Sequence, residues 1–321
     1  MKKAFILPIL FLLLGSILVG CSEKKESTKE STNEDGTITV YTTVYPLQYF
    51  TERIAGNLVS VESIYPPGAD EHTFEPSQRD MMNIADAEMF FYIGLGLEGF
   101  VEKTKTTLKN EDVDFISVGD KLILPESSHE SEEEHDEEGH HHEHGDIDPH
   151  VWLDPIYAKE LAIAIKDELV TKLPAEKELL ENNLQQLVSE LETLHTAFQS
   201  TIEGANHKEV IVSHAAFGYW EKRYGLKQLS ISGISSASEP SQKDLEKIVK
   251  LAKEKDLKYI LFEQNVSSKL GEIIQGELGA KALSLHNLAT LTEKNVQDKE
   301  TYFSLMNKNI ESLKIALNEK K

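Results

Sequence analysis

The chain has 321 residues, of which 40% are hydrophobic and 27% charged, a composition typical of a soluble globular protein with room for two domains. Its formal net charge is −22, from 33 basic and 55 acidic residues. An acidic surface of this size repels nucleic acid, so we expect no nucleic-acid partner. The single cysteine excludes an intramolecular disulfide, and the fold must therefore rest on its hydrophobic core.

The N-terminus has the pattern of a secretory signal peptide. Lys2 and Lys3 precede an apolar run over residues 4–18, and Cys21 follows small residues in a segment that resembles a bacterial lipobox. The run is shorter than the roughly 20 residues that span a bilayer, which favours cleavage over a transmembrane helix. Residues 1–20 are thus a predicted lipoprotein signal peptide, Cys21 is the predicted lipidation site, and the polar residues 21–36 are a predicted flexible tether.

The next segment alternates strand and helix patterns. The β-branched and aromatic runs predict strands over residues 38–44, 59–65 and 89–93, and the residues between them predict helices over 46–56 and 77–86. This alternation is typical of parallel βαβ units, so residues 37–173 are a predicted N-terminal α/β lobe. Residues 126–148 consist almost entirely of Glu, Asp and His and cannot pack into a core, which predicts an insertion looped out of this lobe.

A helix over 155–173 and a much longer one over 174–204 follow the insertion. The long helix carries an apolar stripe that steps by four and three residues: Leu180, Leu184, Leu187, Leu191, Leu194, Phe198 and Ile202. A coiled-coil dimer seam would show the same stripe. A buried helix that joins two lobes fits better, because βαβ patterning resumes after it. We therefore predict a monomer.

The C-terminal lobe is predicted over residues 205–321. Its expected strands cover 210–212, 229–231 and 259–262, and its expected helices cover 242–253, 269–278 and 301–317. The predicted fold class is α/β, with two βαβ-type lobes joined by one long rigid helix and a site in the cleft between them.

Three of the twelve histidines share a local context. His72 lies between a predicted strand and a helix, His150 precedes a helix, and His214 closes a strand. Open α/β sheets place ligand sites at such strand-to-helix junctions, and neutral imidazole is a good ligand for Zn²⁺. Any one of these histidines alone is more simply a hydrogen-bonded structural residue, and the long spacings between them match no short motif.

The segments around these histidines resemble the signature of the solute-binding lipoproteins of bacterial zinc and manganese ABC transporters (cluster A-I), in their AdcA/ZnuA-like zinc type. The matching pieces are GADEHTFEPS, DPHVWLDP, SHAAFGYW and SGISSASEPS. The resemblance runs from Val40 to the last helix. It implies a metal between the lobes, with His72, His150 and His214 as its ligands. Manganese members usually carry Glu at the third position, so His214 favours zinc.

The fourth ligand of that family is an acid before the final helix, and this sequence departs from the pattern. Residues 285–290 read LHNLAT and contain no carboxylate. Glu263 at the end of its strand, a water molecule or His286 would then complete the shell, and we expect Glu263 or water ahead of His286. The acids beside the first ligand are either hydrogen-bond acceptors for the imidazoles or solvent-facing residues: Asp70, Glu71 and Glu75.

The insertion has six histidines among its acids: His129, His135, His140, His141, His142 and His144. Such a segment offers several weak cation sites, and in the family it marks zinc uptake. We interpret it as an auxiliary loop that pre-captures Zn²⁺, although a solvated segment without function has the same composition.

The resemblance implies a protein that captures Zn²⁺ and delivers it to an ABC transporter permease. Its expected place is the outer face of the bacterial cytoplasmic membrane, anchored by lipid at Cys21. Manganese binding is the nearest alternative. A zinc hydrolase also uses three histidines and an open position, but the sequence has neither an H-E-x-x-H nor a G-x-S-x-G motif. An additional adhesin role is compatible with a surface protein and is required by no sequence feature. We therefore expect a binding protein and not an enzyme.

Overall fold

The computed structural model describes residues 37–124, 147–235, 240–264 and 269–318. They form two α/β lobes, each built on a four-stranded, wholly parallel sheet. Cys21, the tether and the six histidines of the auxiliary loop lie outside the described residues, and their predicted roles stay predictions. Within the described ranges, no helix has the length and apolar character needed to cross a bilayer.

The N-terminal sheet has the strand order β2-β1-β3-β4. Its strands are β1 Ile38–Thr42, β2 Val59–Ser63, β3 Met89–Tyr92 and β4 Asp114–Ser117, and its helices are α1 Tyr45–Ala55, α2 Gln78–Ala85 and α3 Val101–Thr107. Val40 in the central strand β1 pairs with Val61 on one side and Met89 on the other. The chain thus passes from β1 to β2 on one side and then crosses to β3 on the other side. This reversal opens a crevice at the carboxyl ends of the strands.

The C-terminal sheet repeats this order as β6-β5-β7-β8. Its strands are β5 Glu209–His214, β6 Lys227–Ser232, β7 Tyr259–Phe262 and β8 Lys281–Ser284. The helices of this half are α6 Gly218–Tyr224, α7 Gln242–Glu254, α8 Lys269–Leu278, α9 Glu293–Gln297 and α10 Tyr302–Asn318. Because β5 occupies the position that β1 has in the first sheet, its last residue, His214, lies at the corresponding crevice.

Two helices join the sheets. Helix α4 spans Pro155–Lys172 and begins at Asp154, whose carboxylate accepts a hydrogen bond from the backbone of Ile156 (2.8 Å). After a 3₁₀ turn at Pro174–Glu176, helix α5 runs over Lys177–Glu203. At 1.5 Å per residue its length is about 40 Å, enough to span a domain. The predicted architecture of two parallel-sheet lobes and one long helix is therefore confirmed.

The apolar stripe of α5 is buried at every predicted position. Its residues belong to the hydrophobic core that continues through both lobes, and α5 packs on α1, α4 and α10 of the same chain. The stripe is thus covered within the chain, as a linking helix requires, and does not form the exposed seam of a coiled coil.

Five short elements were not predicted from the sequence: α3, β4, α6, β8 and α9. Strands β4 and β8 are four-residue edge strands, and β8 buries none of its residues fully. Edge strands of this length show neither alternation nor a continuous apolar run, so no periodicity marks them. The lobe boundaries at residues 173 and 204 stay predictions.

Replacing Leu191 with Ala tests the buried stripe. Leu191 is fully buried in α5, so its truncation leaves a cavity and should lower the free energy of unfolding by about 2–5 kcal/mol. Leu179 on the same helix is 44% exposed and is the matched control, with an expected change within about 0.5 kcal/mol for Leu179→Ala. Urea denaturation measures both. Equal losses for the two variants would show that the stripe does not face the core.

Candidate metal centre

Three histidines and one glutamate meet at the carboxyl ends of the two sheets. One candidate ligand atom from each of Glu71, His72, His150 and His214 lies within 4.8 Å of the others. The centroids of the imidazole rings are 5.1 Å apart for His150 and His214, 5.2 Å for His72 and His150, and 5.8 Å for His72 and His214. Within the described ranges this is the one group of three or more His, Cys, Asp or Glu side chains with metal-ligand spacing.

His72 is presented by a turn that follows β2. Its backbone N–H donates to the carboxylate of Asp70 (2.9 Å), which fixes the turn before α2 begins. Burial and the two neighbouring imidazoles lower the pKa of His72 to about 4, so the ring is neutral at pH 7. Among the residues that the structure describes, its Nε2 is buried without a hydrogen-bond partner. This ring is therefore ready to accept a cation.

His150 lies in the segment before α4. Both its backbone N–H and its Nδ1 bond to one carboxylate oxygen of Asp148, at 3.0 and 2.8 Å. The ring is fully buried, and its centroid is 5.4 Å from that of Trp152. An acid two residues before the histidine thus sets the orientation of the ring. Asp148 was predicted to end the looped-out insertion, and the structure instead places it in contact with the site.

His214 closes β5 and contacts Glu263, which follows the neighbouring strand β7. Nδ1 of His214 bonds to Oε1 of Glu263, and the same oxygen accepts from the hydroxyl of Ser213 (2.9 Å). Burial lowers the pKa of His214, but the contact with Glu263 outweighs it, and the net shift is upward. Adjacent parallel strands therefore place the acid directly behind the histidine.

These contacts decide which ring nitrogen is free. A carboxylate only accepts hydrogen bonds, so Nδ1 of His150 and of His214 must carry the proton, and Nε2 must present a lone pair in the neutral rings. The two Nε2 atoms are 3.3 Å apart. Two lone pairs at this distance repel each other unless a proton or a metal ion lies between them. In a tetrahedral zinc site with bonds of about 2.0–2.1 Å, two ligand atoms are separated by about 3.3–3.4 Å, which matches the observed distance.

Glu71 brings the only carboxylate of the cluster, as defined on the described residues. Its side chain is 4% exposed, and burial raises its pKa to about 8. Oε1 of Glu71 is 3.9 Å from Nε2 of His72 and accepts a hydrogen bond from Nδ2 of Asn287 (2.9 Å). Oε1 of Glu71 and Nε2 of His72 are therefore close enough to bind the same ion.

The other residues considered from the sequence have different places. Glu263 is in contact with His214 but outside the four-residue cluster. His286 is buried, and both its ring nitrogens are engaged, one by the backbone N–H of Leu288 (2.9 Å) and one by the amide of Asn295 (3.2 Å). Glu75 is exposed.

Two residues of the site carried little sequence signal. The role of Asp148 had one indication in the local sequence, its position two residues before His150. An acid this close can reach the imidazole of the histidine. Asn287 had none, since its partner Glu71 is 216 positions away in the chain.

The chain is similar to proteins with names that refer to zinc. A family model described as "Zinc-uptake complex component A periplasmic" (ZnuA) matches residues 40–316. The zinc-binding lipoprotein AdcA of Streptococcus pneumoniae (strain ATCC BAA-255 / R6) is 37% identical over 315 residues, which are 98% of this chain and 61% of that protein. The high-affinity zinc uptake system protein ZnuA of Bacillus subtilis (strain 168) is 36% identical over 310 residues, with 96% of this chain and 97% of that protein covered.

The fold agrees with these matches. The crystal structure of the Zn(II)-bound ZnuA-like domain of Streptococcus pneumoniae AdcA superposes with a TM-score of 0.72 at 34% identity, over 88% of this chain and 100% of that domain. This chain spans about three fifths of the full AdcA length and nearly all of the Bacillus protein. By the family model and by the Bacillus relative, the chain belongs to the ZnuA family of zinc-uptake components.

Proposed function

We propose that this protein captures Zn²⁺ between its lobes, with His72, His150, His214 and Glu71 as ligands, and delivers it to an ABC-type zinc importer. The observation that carries the proposal is the pair of Nε2 atoms 3.3 Å apart, with a third imidazole and a carboxylate beside them. Three imidazoles and one carboxylate make a four-coordinate site of borderline softness, which suits Zn²⁺ better than Mn²⁺. Zinc is the cargo of this protein, and we assign it no catalytic role.

Glu71 replaces Glu263 as our fourth ligand. The contact of Glu263 with Nδ1 of His214 places its bonded oxygen on the side of the ring opposite Nε2. From there it holds the tautomer that offers Nε2 to the metal, as carboxylates behind zinc-bound histidines do. Asp148 does the same for His150. His286 has no free ring nitrogen, and so neither alternative competes with the buried carboxylate of Glu71.

The membrane attachment is part of the same proposal. The relative from Streptococcus pneumoniae is named a lipoprotein, and the sequence around Cys21 has the same implication. We infer that Cys21 carries a lipid on the outer face of the cytoplasmic membrane, with residues 21–36 as a tether. The burial of the α5 stripe within one chain favours a monomer. The permease of the importer is its proposed protein partner.

The auxiliary loop is close to this site in the sequence. Its histidines occupy positions 129–144, and the described chain resumes at Ile147, next to the Asp148 that holds His150. A segment that collects Zn²⁺ weakly would therefore release it close to the cluster. We propose that this loop concentrates the ion and that the four-residue cluster provides the tight binding.

Replacing His214 with Ala tests the ligand set. The variant should bind Zn²⁺ at least about 100-fold more weakly, since it loses a ligand and leaves Glu263 buried beside a cavity. Isothermal calorimetry on zinc and manganese, alone and in competition, measures the loss and the preference. His207→Ala is the control, because this half-buried histidine lies away from the cluster. An unchanged zinc dissociation constant for His214→Ala would remove His214 from the site, and a preference for manganese would contradict the cargo.

Zinc affinity should rise with pH between 5.5 and 8. A metal binds the deprotonated ligands, and the pKa values of Glu71 (about 8) and His214 are both raised, so these groups must give up protons on binding. His72, with its pKa lowered to about 4, is already neutral and contributes nothing to the slope. Calorimetry in buffers of different ionisation enthalpy counts the protons released. A flat affinity over this range, with no proton release, would contradict the ligand assignment.

Deleting residues 129–144 should leave one tight zinc site and remove the weak ones. The cluster residues lie outside the deleted segment, so the high-affinity dissociation constant should change by less than about threefold, while the total zinc bound at high concentration falls. Equilibrium dialysis with zinc-selective dyes measures both quantities. Loss of the tight site in the shortened protein would show that the loop contributes a ligand to it.

A further inference from the structure

The loop between β8 and α9, residues 285–291, crosses from the C-terminal lobe to the N-terminal one. The carbonyl of Ala289 accepts from the backbone N–H of Tyr45 (2.8 Å), and that of Leu291 accepts from Gly68 (2.9 Å). The indole of Trp152 donates to the carbonyl of Asn287 (2.7 Å). This 285–291 loop is therefore fixed to the N-terminal lobe by three hydrogen bonds, although none of its residues belongs to the metal cluster.

The side chain of Asn287 is 3% exposed and its orientation is determined by its partners. Oδ1 accepts from the backbone N–H of Ala289 (3.1 Å), which leaves Nδ2 to donate to Oε1 of Glu71 (2.9 Å). Leu288 between them has a φ of +61°, in the left-handed region that a leucine rarely adopts. This turn brings the N–H of Ala289 back to the amide oxygen, so the backbone itself aims the amide N–H at Glu71.

A carboxylate bound in this way has one oxygen held by a neutral donor. The bond from Asn287 fixes the direction of Oε1 of Glu71, the oxygen 3.9 Å from Nε2 of His72, and disfavours the rotation that would bring both oxygens onto one ion. With the three imidazoles, the count of protein ligands stays at four. Zn²⁺ prefers this number, whereas harder ions such as Mn²⁺ and Ca²⁺ favour more oxygen ligands.

We propose that Asn287 is a positioning residue for Glu71, which holds its carboxylate as a single-oxygen ligand and so raises the preference of the site for zinc over manganese. This inference rests on the proposed function, because it presupposes that the cluster binds a metal. The 285–291 loop would then contribute to the selectivity for zinc through Asn287, which is not itself a metal ligand.

The test is a double-mutant cycle on zinc and manganese affinity, with Asn287→Ala, Glu71→Ala and the double variant. Asn287→Ala should weaken zinc binding about tenfold, as the loss of a residue behind a metal ligand does, and should lower the zinc-to-manganese affinity ratio. In the Glu71→Ala background the same change should have no further effect, since its target is gone. Calorimetry gives the affinities, and thermal melting of the metal-free proteins gives their stability.

Asn309→Ala is the matched control. Asn309 is also buried and holds the same loop, since its side chain accepts from the N–H of His286 (2.7 Å) and donates to its carbonyl (2.8 Å), but it does not contact Glu71. It should lower the melting temperature while leaving the zinc-to-manganese ratio unchanged. Should Ala at 287 prevent folding, Asn287→Ser makes the same test, because a serine hydroxyl can still accept from the N–H of Ala289 but is too short to reach Glu71.

The outcomes separate the two proposals. If the wild-type protein binds no zinc, or if the His214→Ala variant binds zinc as tightly as the wild type, the proposed function is overturned. If the wild-type protein binds zinc and the Asn287→Ala variant has an unchanged zinc-to-manganese affinity ratio, only the role of Asn287 is overturned. An equal loss of affinity from Asn287→Ala with and without Glu71 would assign Asn287 a purely structural role, like that of Asn309.

Discussion

The close packing of three buried imidazoles is the constraint on which the rest of the site depends. Three imidazolium charges on rings with centroids 5.1–5.8 Å apart would repel one another strongly, and burial weakens the screening by water. In the neutral rings, Asp148 and Glu263 hold the Nδ1 protons of His150 and His214, so that the Nε2 lone pairs face each other. Their lone pairs then converge, and a divalent cation is the partner that stabilises this arrangement most.

The fold brings these rings together from three distant parts of the chain. Two sheets with the same strand order present their carboxyl ends to one crevice, and α5 holds the sheets in place over a common core. Side-chain bonds then join the segment before α4 to the second lobe. The indole of Trp220 donates to the carbonyl of Leu153 (2.7 Å), and the hydroxyl of Tyr302 donates to that of Trp152 (2.8 Å). Buried bonds of this kind oppose wide hinge opening, so we expect metal entry and release to involve small, local movements.

Much of this arrangement was predictable from the sequence, and the parts that were not have a common cause. Periodicity predicted the central strands and the apolar stripe of α5, because burial of a strand or of one helix face leaves a regular pattern. The three histidines were predictable by family resemblance and by their strand-to-helix context. The fourth ligand that we propose was not, since the choice between Glu71 and Glu263 depends on which side of an imidazole each carboxylate approaches. Asn287 could not be found at all, because hydrogen bonds across 216 residues leave no mark on local sequence.

The coordination of the bound ion tests the central claim most directly. X-ray absorption at the zinc K-edge, on protein without residues 129–144 and loaded with one equivalent of Zn²⁺, reports the number and type of ligand atoms at the main site. We predict four light-atom ligands at about 2.0–2.1 Å, with the multiple-scattering signal of three imidazoles. A six-coordinate shell, or a signal from fewer than three imidazoles, would contradict it.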